Sequence, residues 1–231
     1  MIAAGTNAPL PFAPRAVLFD MDGLILDSER ALLACWRQAN DELDAGLDDA
    51  FWLSMVGIHD AACHAMLHAR LSAALADALI GRANALYEQR VAAGLPLKTG
   101  LTALLDWLDA QGLPRAIATS TRRARAEAKL RAAGVRGRFH ALVGGDEVAQ
   151  PKPAPDVYLR AADALGVAPQ DCLVLEDSLP GVRAALAAGA LPVQVPDLVA
   201  PGPAAAHRVA RDLGEALTLL RSTFAIAGAR P

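Results

Sequence analysis

The chain has 231 residues and a formal net charge of −3, and 54% of its residues are hydrophobic. The mildly acidic balance and the lack of a basic block argue against a general nucleic-acid-binding protein. No apolar run reaches the roughly 18 residues that a membrane-spanning helix needs, and the N-terminus lacks the pattern of a secretory signal. We therefore expect a cytoplasmic protein without a nucleic-acid or membrane partner, and its three distant cysteines are expected to be buried thiols. A monomer is taken as the default oligomeric state.

Short apolar runs that end in polar residues alternate with helical stretches along most of the chain. The first run, 16–19, precedes a long region rich in alanine and leucine, 28–94, which we interpret as about four helices. The later strands are predicted at 115–118, 141–143, 172–175 and 192–195. The later helices are predicted at 99–111, 121–133, 154–165 and 180–188, and the tail is expected to fray from about 222.

Strands that alternate with helices of this length are typical of βα units and a parallel sheet. The sequence therefore predicts an α/β fold with a Rossmann-like parallel sheet and an all-α segment of four helices inserted after the first strand. The sheet domain is expected to comprise residues 1–27 and 96–231, and the helical domain residues 28–95.

Two acidic residues follow the first predicted strand, in the segment FDMDG at 19–23. In open α/β sheets, ligands bind at the carboxyl ends of the strands, so Asp20 and Asp22 would place two carboxylates at one strand end. A simple turn is the ordinary interpretation of such residues. A calcium-binding loop is excluded, because it needs glycine at its sixth position and an acidic residue at its twelfth, which here is Ala31.

The second predicted strand ends in Thr119, Ser120 and Thr121. Hydroxyl and backbone N–H groups at a junction between strand and helix can bind an anion. The alternative is an ordinary helix N-cap, a position that serine and threonine often occupy.

Lysine is rare in this chain: of its 22 lysine and arginine residues, only those at 98, 129 and 152 are lysines. Lys152 lies between two prolines, which restrict the backbone and favour a fixed position for the ammonium group over a solvated one. Of the three lysines, we expect this one to serve the chemistry.

Glu176 and Asp177 follow the strand predicted at 172–175. Adjacent acidic side chains at a buried strand end repel each other unless a cation lies between them. Oxygen ligands of this kind suit Mg²⁺. The sequence therefore predicts a magnesium site.

Taken together, the segments FDMDG, ATST, PKPAPD and EDS, followed by LPGVRAALAAG, resemble the four motifs of the haloacid dehalogenase-like hydrolase superfamily. The resemblance covers residues 15–195, and the helical insertion is similar to the four-helix cap of the β-phosphoglucomutase-like branch. It implies that Asp20 is the nucleophile that forms an aspartyl-phosphate and that Asp22 is the general acid and base.

The resemblance also assigns the remaining site residues. Mg²⁺ would be held by Asp20, the backbone carbonyl of Asp22, Asp177, and Glu176 directly or through water. Thr119, the backbone N–H of Ser120 and Lys152 would bind the phosphoryl oxygens. In the loop 56–60 of the cap, His59 is the candidate substrate contact.

The resulting prediction is a Mg²⁺-dependent phosphatase that hydrolyses a small phosphorylated metabolite, such as a sugar phosphate. A dehalogenase is less well supported, because that branch lacks the second aspartate and the metal. A sugar-phosphate mutase is the main alternative, although Leu32 stands where the similar β-phosphoglucomutases carry a histidine. A non-catalytic protein that binds a phosphorylated metabolite is the third possibility.

Overall fold

The computed structural model describes residues 9–55, 60–198 and 206–228, and six short strands in them form one parallel sheet. The strands are β1 (Ala16–Phe19), β2 (Arg115–Ala118), β3 (Ala141–Val143), β4 (Cys172–Glu176), β5 (Leu191–Gln194) and β6 (Arg208–Val209). Their order in the sheet is β3-β2-β1-β4-β5-β6. The first strand therefore lies in the middle, and the predicted α/β class with a Rossmann-like parallel sheet is confirmed.

Helices in the described residues precede or follow every strand. They are α1 (Ser28–Glu42), α2 (Asp49–Ser54), α3 (Asp60–Arg70), α4 (Ala73–Ala93), α5 (Leu101–Ala110), α6 (Arg123–Ala132), α7 (Asp156–Ala164), α8 (Leu179–Ala187) and α9 (Leu213–Gly228). The four helices α1 to α4 follow β1 in the chain, as predicted for the insertion. The boundaries of the two domains stay predictions. No helix in the described part of the chain has the length and apolar character needed to cross a membrane.

The two faces of the sheet are both covered, which explains why the strands are apolar runs without alternation. In β1, the side chains of Ala16 and Leu18 belong to one buried cluster, and those of Val17 and Phe19 belong to another. The first cluster includes residues of α7 and α8, and the second joins the sheet to the inserted helices and to α9. The central strands are thereby fixed between two layers of helices.

Aromatic packing and side-chain capping stabilise the inserted helices. Asp48 caps α2, since its Oδ1 accepts a hydrogen bond from the backbone N–H of Phe51 at 2.8 Å. The rings of Trp36 and Trp52 stack with centroids 6.0 Å apart, and Phe51 meets Trp52 edge-on. The three cysteines, Cys35, Cys63 and Cys172, are buried, as expected.

The C-terminal helix is the main departure from the predicted elements. The expectation that the tail frays from about 222 is wrong for the described residues, since α9 continues to Gly228. The Thr223 hydroxyl accepts a hydrogen bond from the Leu10 backbone N–H at 2.8 Å and donates to the Leu219 carbonyl at 2.7 Å. The Phe224 ring meets Trp107 of α5 edge-on at 5.3 Å. The short strand β6 is also absent from the predicted elements, whereas each strand and helix that was predicted with its own residue bounds agrees to within two residues.

Replacing Phe224 with alanine should lower the free energy of unfolding by about 1–3 kcal/mol. The half-buried ring would lose its contact with Trp107 and leave space in the apolar cluster. Ile226, which is 49% exposed on the same helix, provides the matched control, and Ile226→Ala should change stability by less than about 0.5 kcal/mol. Chemical denaturation of both variants measures the difference. Equal small effects would mean that α9 frays as the sequence suggested.

Candidate active site

The candidate active site lies at the carboxyl ends of the central strands. Asp20 follows β1, and its backbone N–H donates to the Leu175 carbonyl of β4 at 3.0 Å. Thr119 follows β2, and Glu176 is the last residue of β4. Because the carboxyl ends of parallel strands share one edge of the sheet, the fold brings together motifs that are far apart in the sequence.

The Lys152 ammonium group is the buried cation of this site. Its Nζ donates to Asp20 Oδ1 at 2.5 Å, to Glu176 Oε1 at 2.7 Å and to the Ala118 carbonyl at 3.1 Å, and it lies 4.8 Å from the Tyr158 ring centroid. Burial alone would lower the pKa of Lys152, but the charges of Asp20 and Glu176 outweigh burial and hold the pKa well above its usual value. Lys152 therefore connects the ends of β1, β2 and β4.

The Glu176 carboxylate is fully buried and accepts four hydrogen bonds. Oε1 accepts from Lys152 and from the Tyr158 hydroxyl at 2.8 Å, and Oε2 accepts from the Ser178 backbone N–H and hydroxyl at 2.8 and 2.9 Å. Burial works to raise the pKa of Glu176, but Lys152 and these donors outweigh it, so the pKa is lowered. Glu176 is therefore an ionised partner that orients Lys152.

At Asp20 and Asp177, burial and the neighbouring carboxylates outweigh the attraction of Lys152, so both pKa values are raised. Burial raises the pKa of Asp20 to about 7, with Lys152 opposing the rise and Glu176 adding to it. Burial and the charges of Asp20 and Glu176 raise the pKa of Asp177 well above its usual value. The single positive charge of Lys152 does not balance the three neighbouring carboxylates, so the site keeps an excess of negative charge.

A divalent cation fits this group of carboxylates. One ligand atom from each of Asp20, Glu176 and Asp177 lies within 4.8 Å of the other two. Carboxylate oxygens are hard ligands of the kind that Mg²⁺ prefers, and a cation would relieve the repulsion that raises the pKa values of Asp20 and Asp177. Since Glu176 already accepts four hydrogen bonds, Asp20 and Asp177 have more capacity left to bind an ion directly.

Gly23 leaves the space that Asp177 occupies. Its φ of +81° lies in the left-handed region, and a Cβ atom at this position would overlap the Asp177 carboxylate. Its backbone N–H donates to the Ser28 hydroxyl at 3.1 Å. The glycine that ends the FDMDG segment therefore permits the turn and also leaves room for the Asp177 carboxylate.

Asp22 has its own pair of hydrogen-bond donors. Thr121 Oγ1 donates to Asp22 Oδ2 at 2.7 Å, and Lys129 Nζ donates to Asp22 Oδ1 at 2.8 Å. The side chain of Asp22 is 26% exposed, whereas that of Asp20 is 11% exposed. The two aspartates of one segment are therefore held by different lysines, and the outer one is the more accessible to solvent.

The segment that follows β2 does not cap the next helix. Helix α6 begins at Arg123, and its N-cap residue Arg122 makes no side-chain capping bond. The buried Thr119 accepts a hydrogen bond from the Thr121 backbone N–H at 3.1 Å, while Ser120 is exposed. The helix-cap interpretation of these hydroxyls is therefore wrong. The segment lies instead beside the candidate active site.

The predicted substrate contact His59 lies outside the described residues, as does most of the loop around it. Its role stays a prediction. The structure brings together Asp20, Lys152, Glu176 and Asp177, with Asp22 and Thr119 on the same sheet edge.

Residues to which the sequence analysis assigned no individual role complete the site. Tyr158 and Ser178 orient Glu176, while Thr121 and Lys129 orient Asp22. The scarcity of lysine was a signal that applied to Lys129 as much as to Lys152. No comparable signal marks Tyr158, which lies in the middle of an ordinary helical pattern.

Most of the chain matches a known protein family. The profile of the haloacid dehalogenase-like hydrolases matches residues 14–189, which include every motif described above. The chain belongs to this family. The match confirms the predicted superfamily and an enzyme of the hydrolase class.

Relatives of this hydrolase include named phosphatases. It is 36% identical over 203 residues to the plasmid-encoded protein CbbY of Cupriavidus necator, covering 81% of this chain and 78% of the relative. It is 32% identical over 185 residues to the fructose-1-phosphate phosphatase YqaB of Escherichia coli, covering 75% and 92%. The crystal structure of CbbY from Rhodobacter sphaeroides in complex with phosphate aligns with a TM-score of 0.66 at 26% identity, covering 87% of this chain and 96% of that one. These similarities support a phosphatase.

Replacing Gly181 with alanine should lower the free energy of unfolding by about 1–3 kcal/mol, even though alanine favours helix α8. A Cβ at Gly181 would overlap the Glu176 carboxylate, so its hydrogen bonds to Ser178 and Lys152 would be disturbed. Gly137→Ala is the control, because a Cβ there has no heavy atom within 4 Å. Denaturant unfolding compares the variants, and a G181A protein as stable as the control would contradict the close packing at Glu176.

Proposed function

We propose that this hydrolase is a Mg²⁺-dependent phosphatase that hydrolyses a small phosphorylated metabolite, such as a sugar phosphate, through an aspartyl-phosphate. The observation that carries the proposal is the pair of aspartates with separate environments. Asp20 is buried beside Lys152 and two further carboxylates, and the accessible Asp22 lies two residues away. Nucleophilic attack and proton transfer on one phosphate ester need two such groups.

In this proposal Asp20 is the nucleophile. Lys152 binds Asp20 Oδ1, which leaves Oδ2 to attack phosphorus. The bond between phosphorus and the ester oxygen breaks, and Asp22 donates a proton to the departing oxygen. In the second half-reaction Asp22 takes a proton from water, whose oxygen attacks phosphorus and releases phosphate from Asp20.

The phosphoryl oxygens would be bound by Lys152, Thr119 and the backbone N–H of Ser120. Each lies at the carboxyl end of the sheet or beside it, where transition-state charge on the equatorial oxygens can be stabilised. The ammonium group of Lys152 is already fixed by Glu176 and the Ala118 carbonyl, so little reorganisation is needed when the substrate binds.

Asp20, Asp177 and the backbone carbonyl of Asp22 would hold the Mg²⁺ ion, with Glu176 contributing through water. The ion would reduce the repulsion between the attacking carboxylate and the phosphate dianion. Because Glu176 already accepts four hydrogen bonds, its main part in this proposal is to position Lys152.

A sugar-phosphate mutase remains the second candidate, because the same aspartate pair would serve it. Leu32 of α1, however, is packed against the apolar core and has no group that exchanges protons. This favours transfer of the phosphoryl group to water. The two reactions differ in whether β-glucose 1-phosphate gives glucose 6-phosphate or free phosphate.

Wild-type protein with Mg²⁺ should release phosphate from p-nitrophenyl phosphate and from members of a panel of sugar phosphates. Asp20→Asn should lower kcat at least about a thousandfold, because the amide cannot form the phosphoenzyme. Asp163→Asn, the same change at an exposed position of α7, should retain full activity. Phosphate release and sugar-phosphate isomerisation are both measured. Turnover by Asp20→Asn would remove Asp20 as the nucleophile, and binding without turnover by the wild type would favour a non-catalytic protein.

Mg²⁺ should raise the Tm of the wild-type protein. A ligand that binds only the folded state adds about 1.4 kcal/mol at ten times its Kd. Asp177→Asn should abolish this increase. The same variant should raise the Tm of the metal-free protein at pH 8, because a carboxyl group whose pKa rises on folding lowers stability at every pH above the pKa that it has in the unfolded chain.

Thermal unfolding with and without Mg²⁺ separates these two effects. Asp163→Asn serves again as the control and should respond to Mg²⁺ like the wild type. An undiminished response in Asp177→Asn would show that the ion binds elsewhere.

A further inference from the structure

A second buried lysine lies beside the proposed reaction centre. Lys129 is in α6 and is 5% exposed, and its Nζ donates to Asp22 Oδ1 at 2.8 Å. A buried ammonium group is costly unless it is paired, so its position is determined by its partner. Since Thr121 occupies the other oxygen of Asp22, the two donors together fix the orientation of this carboxylate.

The inserted helices cover Lys129. Its ammonium group lies 5.3 Å from the ring centroid of Tyr87 in α4, within the range of a cation–π contact. One residue further along α4, Glu88 forms an ion pair at 2.5 Å with Arg125 of α6. Helix α4 therefore packs on α6 directly over the pair formed by Lys129 and Asp22.

We propose that Lys129 is a positioning residue that holds Asp22 in the orientation for proton transfer to the leaving group, and that Tyr87 of the inserted helices keeps Lys129 in place. This inference rests on the proposed function and extends it. Proton transfer needs donor and acceptor within about 3 Å of each other. Without Lys129, the Asp22 carboxylate would keep only one of its two hydrogen-bond donors and would rotate away from the ester oxygen.

The consequence depends on the leaving group. When the bond between phosphorus and the ester oxygen breaks, phenolate takes a proton from Asp22 and leaves as phenol. Nitrophenolate is stable without that proton. Misplacing Asp22 should therefore slow the hydrolysis of phenyl phosphate much more than that of p-nitrophenyl phosphate, whereas general damage to the fold would slow both equally.

The first experiment compares Lys129→Met with Arg125→Met on these two esters. Arg125 lies one turn earlier in α6 and contacts the same helix of the insertion, but it pairs with Glu88 and not with Asp22. In Lys129→Met, the ratio of kcat/KM for p-nitrophenyl phosphate to that for phenyl phosphate should rise about tenfold, and in Arg125→Met it should not change. Equal loss for both esters in Lys129→Met overturns the proposal. If this variant does not fold, Lys129→Gln and Tyr87→Leu test the same ratio.

The second experiment observes the ammonium groups directly, because the chain has only three lysines. Selective isotope labelling of lysine gives three sets of side-chain NMR signals, which Lys129→Met and Lys98→Met assign. Asp22→Asn should shift the Lys129 signals and leave those of Lys98, which pairs with Asp197, unchanged.

The two experiments separate a failure of the Lys129–Asp22 pairing from a failure of the proposed function. Unchanged Lys129 signals in Asp22→Asn overturn the pairing whatever the activity. A wild-type protein that hydrolyses neither ester overturns the proposed function, and with it the part of Lys129 in proton transfer.

Discussion

The arrangement of the site depends on one buried positive charge among three carboxylates. Lys152 contacts Asp20, Glu176 and the end of β2, so its ammonium group fixes three strand ends relative to one another. Neutralising it would leave Glu176 ionised and buried with neutral donors alone, a state that costs several kcal/mol in proteins. The remaining excess of negative charge favours the binding of a cation at this site.

The two aspartates of the FDMDG segment show how a short spacing can produce two chemical environments. Asp20 turns inward to Lys152, while Asp22 turns outward to Lys129 and Thr121. A strand followed by a tight turn points the two side chains in different directions. The loop before α7 then supplies Lys152 to Asp20, whereas α6 and the loop before it supply Lys129 and Thr121 to Asp22. Burial and charge thus differentiate two identical residues, as happens generally where one carboxylate must attack and another must exchange protons.

Much of this arrangement could be predicted from the sequence because it lies at strand ends. The strands are apolar runs, and the polar residues that follow them must meet at one edge of a parallel sheet. The partners of Asp22 and Glu176 that lie within helices could not be predicted in this way. Lys129 and Tyr158 lie within helices, where the sequence indicates a helix but not which distant group each side chain reaches. The packing of α9 was missed for the same reason, since Phe224 and Trp107 belong to helices that are far apart in the sequence.

The central position of β1 also affects how the chain folds. Both neighbours of β1 in the sheet are made much later than β1 itself, and the four helices of the insertion are made in between. Contacts within those helices are local and form quickly, whereas pairing of distant strands is slow because a long loop must close first. During synthesis, the apolar strand β1 therefore stays unpaired beside helices that have already formed, until β2 and β4, which bring Thr119 and Glu176 to the site, have also been made.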